Sequence, residues 1–262
     1  MKSTALPFKK ACIILFWLMI WQTASLAVHN SIILVGPLEV VRALWSQAAL
    51  PGFWKTIALS FGKISLGFVL AFTAGILTGG AAYRFPFLKD LLEPLVSLIK
   101  SVPVASFVIL ALIWIGSENL SVFISFLVVF PMIYINTMAG FLSTDPGLLE
   151  MARVFYMSGG KKLVFIYRPA LLPYLASGCR VALGMSWKSG IAAEVIGVPG
   201  YSIGEKLYMA KIYLSTADLF AWTMVIIAIS VLFEKIFLRL LDLASPGFLI
   251  RKRQEGRPWS LK

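Results

Sequence analysis

The stretch Asp145–Pro173, DPGLLEMARVFYMSGGKKLVFIYRPALLP, decides how the rest of the chain is read. It is a polar island in an apolar protein and carries Arg153, Lys161, Lys162 and Arg168. Asp145 suits a helix N-cap, Pro146 the first helical position, and Glu150 the first turn, where the helix dipole favours an acid. Leu148, Met151 and Phe155 recur at spacings of three and four and so share one face, with Glu150 and Arg153 on another. Gly159-Gly160 is expected to break this helix, and Pro169 and Pro173 to mark the start of the next apolar run. A short amphipathic helix between two membrane spans is either an anchor lying on the membrane surface or a knob that another protein grips. Residue types leave both open.

The surroundings are those of a membrane protein. A hydrophobic fraction of 59%, a charged fraction of 14% and a mean hydropathy of +0.87 exclude an ordinary soluble domain. The 262 residues can hold six spans of about 20 apolar residues each. Working outward, the fourth span is read at 120–142 and the fifth at 169–198, with 201–216 outside and the sixth span at 217–241. Before them come a first span at 11–28, a mixed outer segment at 30–50, a second span at 53–82 and an inner loop at 83–92. The third span, 93–116, should be kinked or interrupted by Pro103 and is followed by an outer turn at 117–119. Ser25-Leu26-Ala27 resembles a signal-peptidase site, but an even span count argues for a retained first span. Segments read as inside, including a basic tail at 245–262, carry 16 basic residues against 4 on segments read as outside. The net charge of +12 therefore reports orientation, with both termini cytoplasmic, rather than nucleic-acid binding.

Enzyme chemistry finds little purchase. Gly62-Lys63 and Gly160-Lys161 lack the preceding Gly and following Ser or Thr of a phosphate-binding loop. His29 is the one histidine, and no His/Cys/Asp/Glu spacing suits a metal. Cys12 and Cys179 lie in separate apolar runs, which suits packing rather than a disulfide. No cofactor is expected on this chain; if ATP drives it, ATP and magnesium sit on a partner.

The Asp145–Pro173 stretch resembles the cytoplasmic coupling loop of permease subunits of ATP-binding-cassette importers, patterned on Glu-Ala-Ala, a Gly, and Ile-x-Leu-Pro at set spacings. Glu150, Ala152, Ile166 and Pro169 fall on that register, whereas Met151, Tyr156 and Arg168 replace the middle Ala, the Gly and the Leu. Four further segments resemble the nitrate/sulfonate/taurine (bicarbonate) branch. They are Lys63–Phe68, Lys100–Pro103 with Ile109–Gly116, Phe130-Pro131 with Asn136-Thr137 and Gly140, and Trp187 with Ala193-Glu194. The resemblance implies one permease domain over 1–262, with a core at 54–241 and a coupling loop at 145–168. It implies the all-α, six-helix type I importer permease fold in a bacterial cytoplasmic (inner) membrane. Its partners would be ATP-binding-cassette ATPase subunits, an extracytoplasmic substrate-binding protein and a second permease copy or close paralogue, with no nucleic acid. Glu150, Ala152, Arg153, Phe155, Ser158, Gly159, Ile166 and Pro169 would then serve the coupling loop, with Glu150, Ala152 and Phe155 touching the ATPase.

Ionisable residues at membrane depth are rare and usually face the protein interior or a wet path. Lys188 has no acid one turn away on its own face, so it either pairs with a carboxylate such as Glu39 or Glu118 or lines a path for anions. Trp187, Glu194, Pro103 and Asn136 are the other path candidates. Lys63 and Lys100 are assigned a scaffold or loop-pairing role. The expected cargo is a small organic or inorganic anion such as a sulfonate, taurine or nitrate. The alternatives are a neutral or cationic heterocycle such as a pyrimidine vitamin precursor or riboflavin, an integral-membrane lipid enzyme, and a stand-alone channel.

Overall fold

The computed structural model describes residues 5–30 and 32–243, with side chains from residue 12 onward. The tail at 245–262 lies outside the described residues. The described chain is helical, in the order α1 (Ala5–Val28), α2 (Pro37–Ala48), α3 (Pro51–Arg84), α4 (Pro86–Ser101), α5 (Val104–Ile115) and α6 (Leu120–Leu142). There follow α7 (Pro146–Val154), α8 (Gly159–Lys162), a π-helical turn at Leu163–Tyr167, α9 (Arg168–Gly197), α10 (Ile203–Ile212) and α11 (Thr216–Leu243).

The centre is a row of three long helices, α3 against α6 and α6 against α9. Lipid is as apolar as a leucine side chain, so helices in it associate through close packing rather than through the hydrophobic effect. α3 meets this need with Gly67, Ala71, Gly75 and Gly79, four residues apart on one buried face. A Cβ added at Gly75 would lie 2.8 Å from Ile133 Cβ, and one at Gly79 would lie 2.8 Å from Thr137 Cβ. At Gly67 it would run into the Val122 carbonyl oxygen. The two backbones thus approach as closely as they can. Against α9, α11 and α3 together build an aromatic block in which Phe61, Phe68, Trp187, Phe233 and Phe237 meet mostly edge to face.

One expectation needs correcting. The segment at 83–92 is not a loop: one extended residue, Phe85, separates α3 from α4, and Pro86 starts the new helix at its first position. The charges there sit on an amphipathic helix whose Leu88, Leu91, Leu92 and Leu95 keep helical spacing. The third span is interrupted at Pro103 as expected, into two helices, α4 and α5, meeting at 105°, and it starts at Pro86 rather than at 93. Pro103 cannot continue α4 and forces Val102 into extended backbone, which makes the corner. Finally, among the described residues only α3 and α6 are long and apolar enough to cross a membrane by themselves, or three spans if α4 and α5 count as one. Six are not reached on that measure. α9 is about 45 Å long at about 1.5 Å per residue, but Arg168, Arg180, Lys188 and Glu194 interrupt its apolarity.

Candidate functional site

The coupling segment is built by local rules. The Asp145 carboxylate accepts the Gly147 N–H at 2.8 Å and caps α7, with Pro146 at the first position. Glu150 falls beyond the first turn. α7 ends sooner than the double glycine suggested. The Tyr156 N–H donates to Arg153 O at 3.0 Å and the Met157 N–H to Ala152 O at 2.9 Å, while Tyr156 adopts φ of 49°. This is the reverse turn that closes helices with a left-handed residue, usually glycine. Tyr156 therefore keeps the turn that the missing Gly put at risk. Gly159-Gly160 opens α8 rather than breaking a helix.

From Gly159 onward the helical path runs almost without interruption through the π-turn into α9. The widening at Leu163–Tyr167 has a cause, since Pro169 has no N–H and its ring would press on the Phe165 carbonyl of a regular helix. Tyr167 in this turn packs against Tyr83 at the end of α3 and Phe141 at the end of α6, with ring centroids 5.9 and 5.4 Å away. Tyr83 and Phe141 stack at 4.8 Å. This lock was missed in the sequence because its three members come from distant segments with no shared motif.

Exposure divides the expected loop residues. Ala152 and Ile166 are buried, so neither offers a surface to another protein. Ala152 was expected to touch the ATPase, and its side chain lies inside this chain. Glu150, Arg153, Ser158, Gly159 and Pro169 are exposed. Val154, Phe155 and Tyr156 form a run of large apolar side chains in the open, Tyr156 at 95% exposure. Such a contiguous exposed run is open to contact with another surface.

The path candidates separate equally clearly. Trp187 is buried among Phe61 and Phe233 and belongs to the core. Asn136 is wedged where a Cβ on Gly178 would come within 2.5 Å of its Cγ, and its amide donates to Met132 O at 2.8 Å, so it sits in the α6–α9 seam. Glu194 is fully buried. Its Oε2 accepts the Ser60 hydroxyl at 2.8 Å and the Gly204 N–H at 3.1 Å, and the Ile203 N–H donates to Ser60 Oγ at 2.9 Å. It clamps the start of α10 and α3 onto the end of α9, an explanation for an acid at depth that needs no path.

Lys188 and Pro103 are exposed. Lys188 shares the open face of α9 with Val181, Met185 and Ala192, and among the described residues it makes no ion pair. Glu118 does not serve it, because Glu118, in the α5–α6 turn, pairs with Lys63 of α3 at 2.8 Å. The Lys63 ammonium holds the Glu118 carboxyl below the usual carboxylate range, by its hydrogen bond first and its charge second. Beside the Lys188 face lies a cavity of about 200 Å³ lined by Lys100, Val102, Pro131, Met132 and Met185 among others.

A model of the family described as binding-protein-dependent transport system inner membrane component matches residues 71–248. The taurine transport system permease protein TauC of Escherichia coli is 28% identical, over 82% of this chain and 80% of its own. The putative aliphatic sulfonates transport permease protein SsuC of the same organism is 31% identical over 75% of both chains. The nitrate import permease protein NrtB of Synechococcus elongatus is 29% identical, over 72% of this chain and 71% of its own. Among solved structures, the crystal structure of an amino acid ABC transporter with histidines superposes with a TM-score of 0.52 at 21% identity. It covers 75% of this chain and 94% of that one, which shows a shared all-helical fold.

Proposed function

This chain belongs to the family of binding-protein-dependent transport system inner membrane components, and on that premise we propose that it carries a small anion across a bacterial inner membrane. It is the permease of an ATP-binding-cassette importer. In this reading two copies, each of six spans with both termini cytoplasmic, enclose the path. ATPase subunits grip α7 through Phe155, Tyr156 and Val154, with Glu150 and Arg153 at the edge. A binding protein delivers cargo from outside. The resemblance to sulfonate, taurine and nitrate permeases supports an anion over a heterocycle.

The observation that carries this reading is the continuity from coupling segment to path. A push on α7 reaches the π-turn, which the Tyr83–Phe141–Tyr167 lock ties to the ends of α3 and α6. It then runs along α9 to the Glu194 clamp, which engages α3 and α10 at the far end. Nucleotide and docked binding protein bias two packed arrangements of this frame. Lys188 rides on the open face of the same helix and faces the path, where its charge favours anions. The test is ATP-driven uptake by a Lys188→Met variant that still assembles with its ATPase: anion uptake should fall steeply. Unchanged uptake makes Lys188 a surface residue and reopens the case for a neutral cargo.

A further inference from the structure

We propose that the cleft between α4 and α6 is a second anion station on the path, with Lys100 as its cation. This rests on the reading of the chain as an anion permease and adds a site to it.

Lys89, Glu93, Val96, Ser97 and Lys100 recur at spacings of three and four, so they share one face of α4. That face lines a cavity of about 360 Å³ whose other wall is α6, from Tyr134 to Leu142. Such a volume holds a small organic anion with some of its water. The 200 Å³ cavity beside the Lys188 face adjoins it, and Lys100 lines both. Among the residues lining the second cavity, Lys100 is the one ionisable side chain. A solute moving between the two spaces passes this ammonium.

Three observations keep the charge available. Lys100 is exposed and, among the described residues, makes no ion pair. It stands in the last turn of α4, where the carbonyl end of the helix stabilises a cation without a carboxylate partner. Glu93 lies one turn from Lys89 and two from Lys100, so it offsets Lys89 first and leaves the cleft net positive. The 105° corner at Val102-Pro103 puts this turn at the junction of the cavities. A straight helix would carry Lys100 past it. The ligand chemistry is a small oxyanion: sulfonate, carboxylate, nitrate or bicarbonate. A lipid phosphate offers the same oxygens, so the membrane is varied in the test.

The importer, complete with its ATPase and binding protein, is reconstituted in vesicles of zwitterionic lipid and in vesicles that also hold an acidic lipid. Uptake of labelled taurine, ethanesulfonate and nitrate is measured for the unsubstituted protein, Lys100→Gln and Lys100→Arg. In both membranes Lys100→Gln should lose about tenfold or more of anion uptake, the scale of one charge-assisted hydrogen bond, while binding-protein-stimulated ATP hydrolysis persists. Lys100→Arg should restore most of the uptake. Full uptake by Lys100→Gln overturns the proposal, as does a loss confined to vesicles with acidic lipid, which makes the cleft a head-group site. Loss of ATP hydrolysis in both variants also overturns it, by making Lys100 structural. If the unsubstituted importer carries none of the three anions, the failure lies in the anion reading itself, and the proposal falls with it.

Discussion

Replacing Glu194 with leucine removes the one acceptor shared by α3 and α10. The Ser60 hydroxyl and the Gly204 N–H, 2.8 and 3.1 Å from Glu194 Oε2, would face an aliphatic side chain in a fully buried site. Each stranded donor costs about 1–3 kcal/mol, so the pair costs about 2–6 kcal/mol. For a chain of this length, at about 2–4 °C per kcal/mol, that lowers the melting temperature by about 4–24 °C. Glu194→Gln keeps an acceptor oxygen, and its amide can turn toward the Ser121 hydroxyl, which has no partner among the described residues. It should cost under about 1 kcal/mol. The assay heats the detergent-solubilised importer in steps and follows the intact complex by size-exclusion chromatography. Glu194→Leu melting within about 2 °C of the unsubstituted complex would refute the clamp. A Gln variant as unstable as Leu would show that the charge, not the acceptor, matters.

Other outcomes follow from the same geometry. Ala152→Asp puts a charge into a fully buried position and should cost more than about 3 kcal/mol, seen as loss of assembled protein, whereas exposed Phe155→Ala should leave the melting temperature unchanged and lower stimulated ATP hydrolysis. Tyr156→Gly relieves a left-handed residue with little packing to lose and should stabilise the isolated permease by about 0.5–1 kcal/mol in thermal melts. Gly67→Val drives a branched side chain into the Val122 carbonyl and should abolish assembly, read by immunoblot of membranes. The Lys63–Glu118 pair depresses the folded-state pKa of Glu118, so its contribution is present above the ordinary carboxylate range and is lost as pH falls through the depressed value. Both partners are partly exposed, so Glu118→Gln should cost at most about 1 kcal/mol at neutral pH and nothing in strong acid, measured as the difference between melting curves at the two pH values.

Much of the frame was legible in the residues. The small-residue spacing of α3, the proline interruption at Pro103 and the capped helix after Asp145 follow from local chemistry, and the structure realises each. What stayed hidden depended on pairing across the chain. Charge alone made 83–92 a loop, because Arg84, Lys89 and Asp90 outweighed the leucine spacing beside them. Trp187 and Lys188 are neighbours in sequence yet point into the core and into the open, a division set by which face of α9 meets α11 and α3. Glu194 looked like a path candidate because its partners, Ser60 and Gly204, lie on other helices and cannot be seen from its own stretch. Lys100 was read as scaffold, since only the fold brings the α4 face opposite α6 and sets both cavities at its end.

In the proposed function this chain forms the path for an anion moved by ATP spent on other subunits. The most direct measurement is uptake into vesicles bearing the permease and its ATPase, loaded with ATP, with binding protein and labelled taurine, ethanesulfonate or nitrate outside. At least one of these anions should accumulate above its outside concentration, and the accumulation should be lost when ATP, ATPase or binding protein is left out. Equilibration without ATP would make the chain a channel, and retention of none of the three anions, with ATP hydrolysis still stimulated, would contradict the anion assignment.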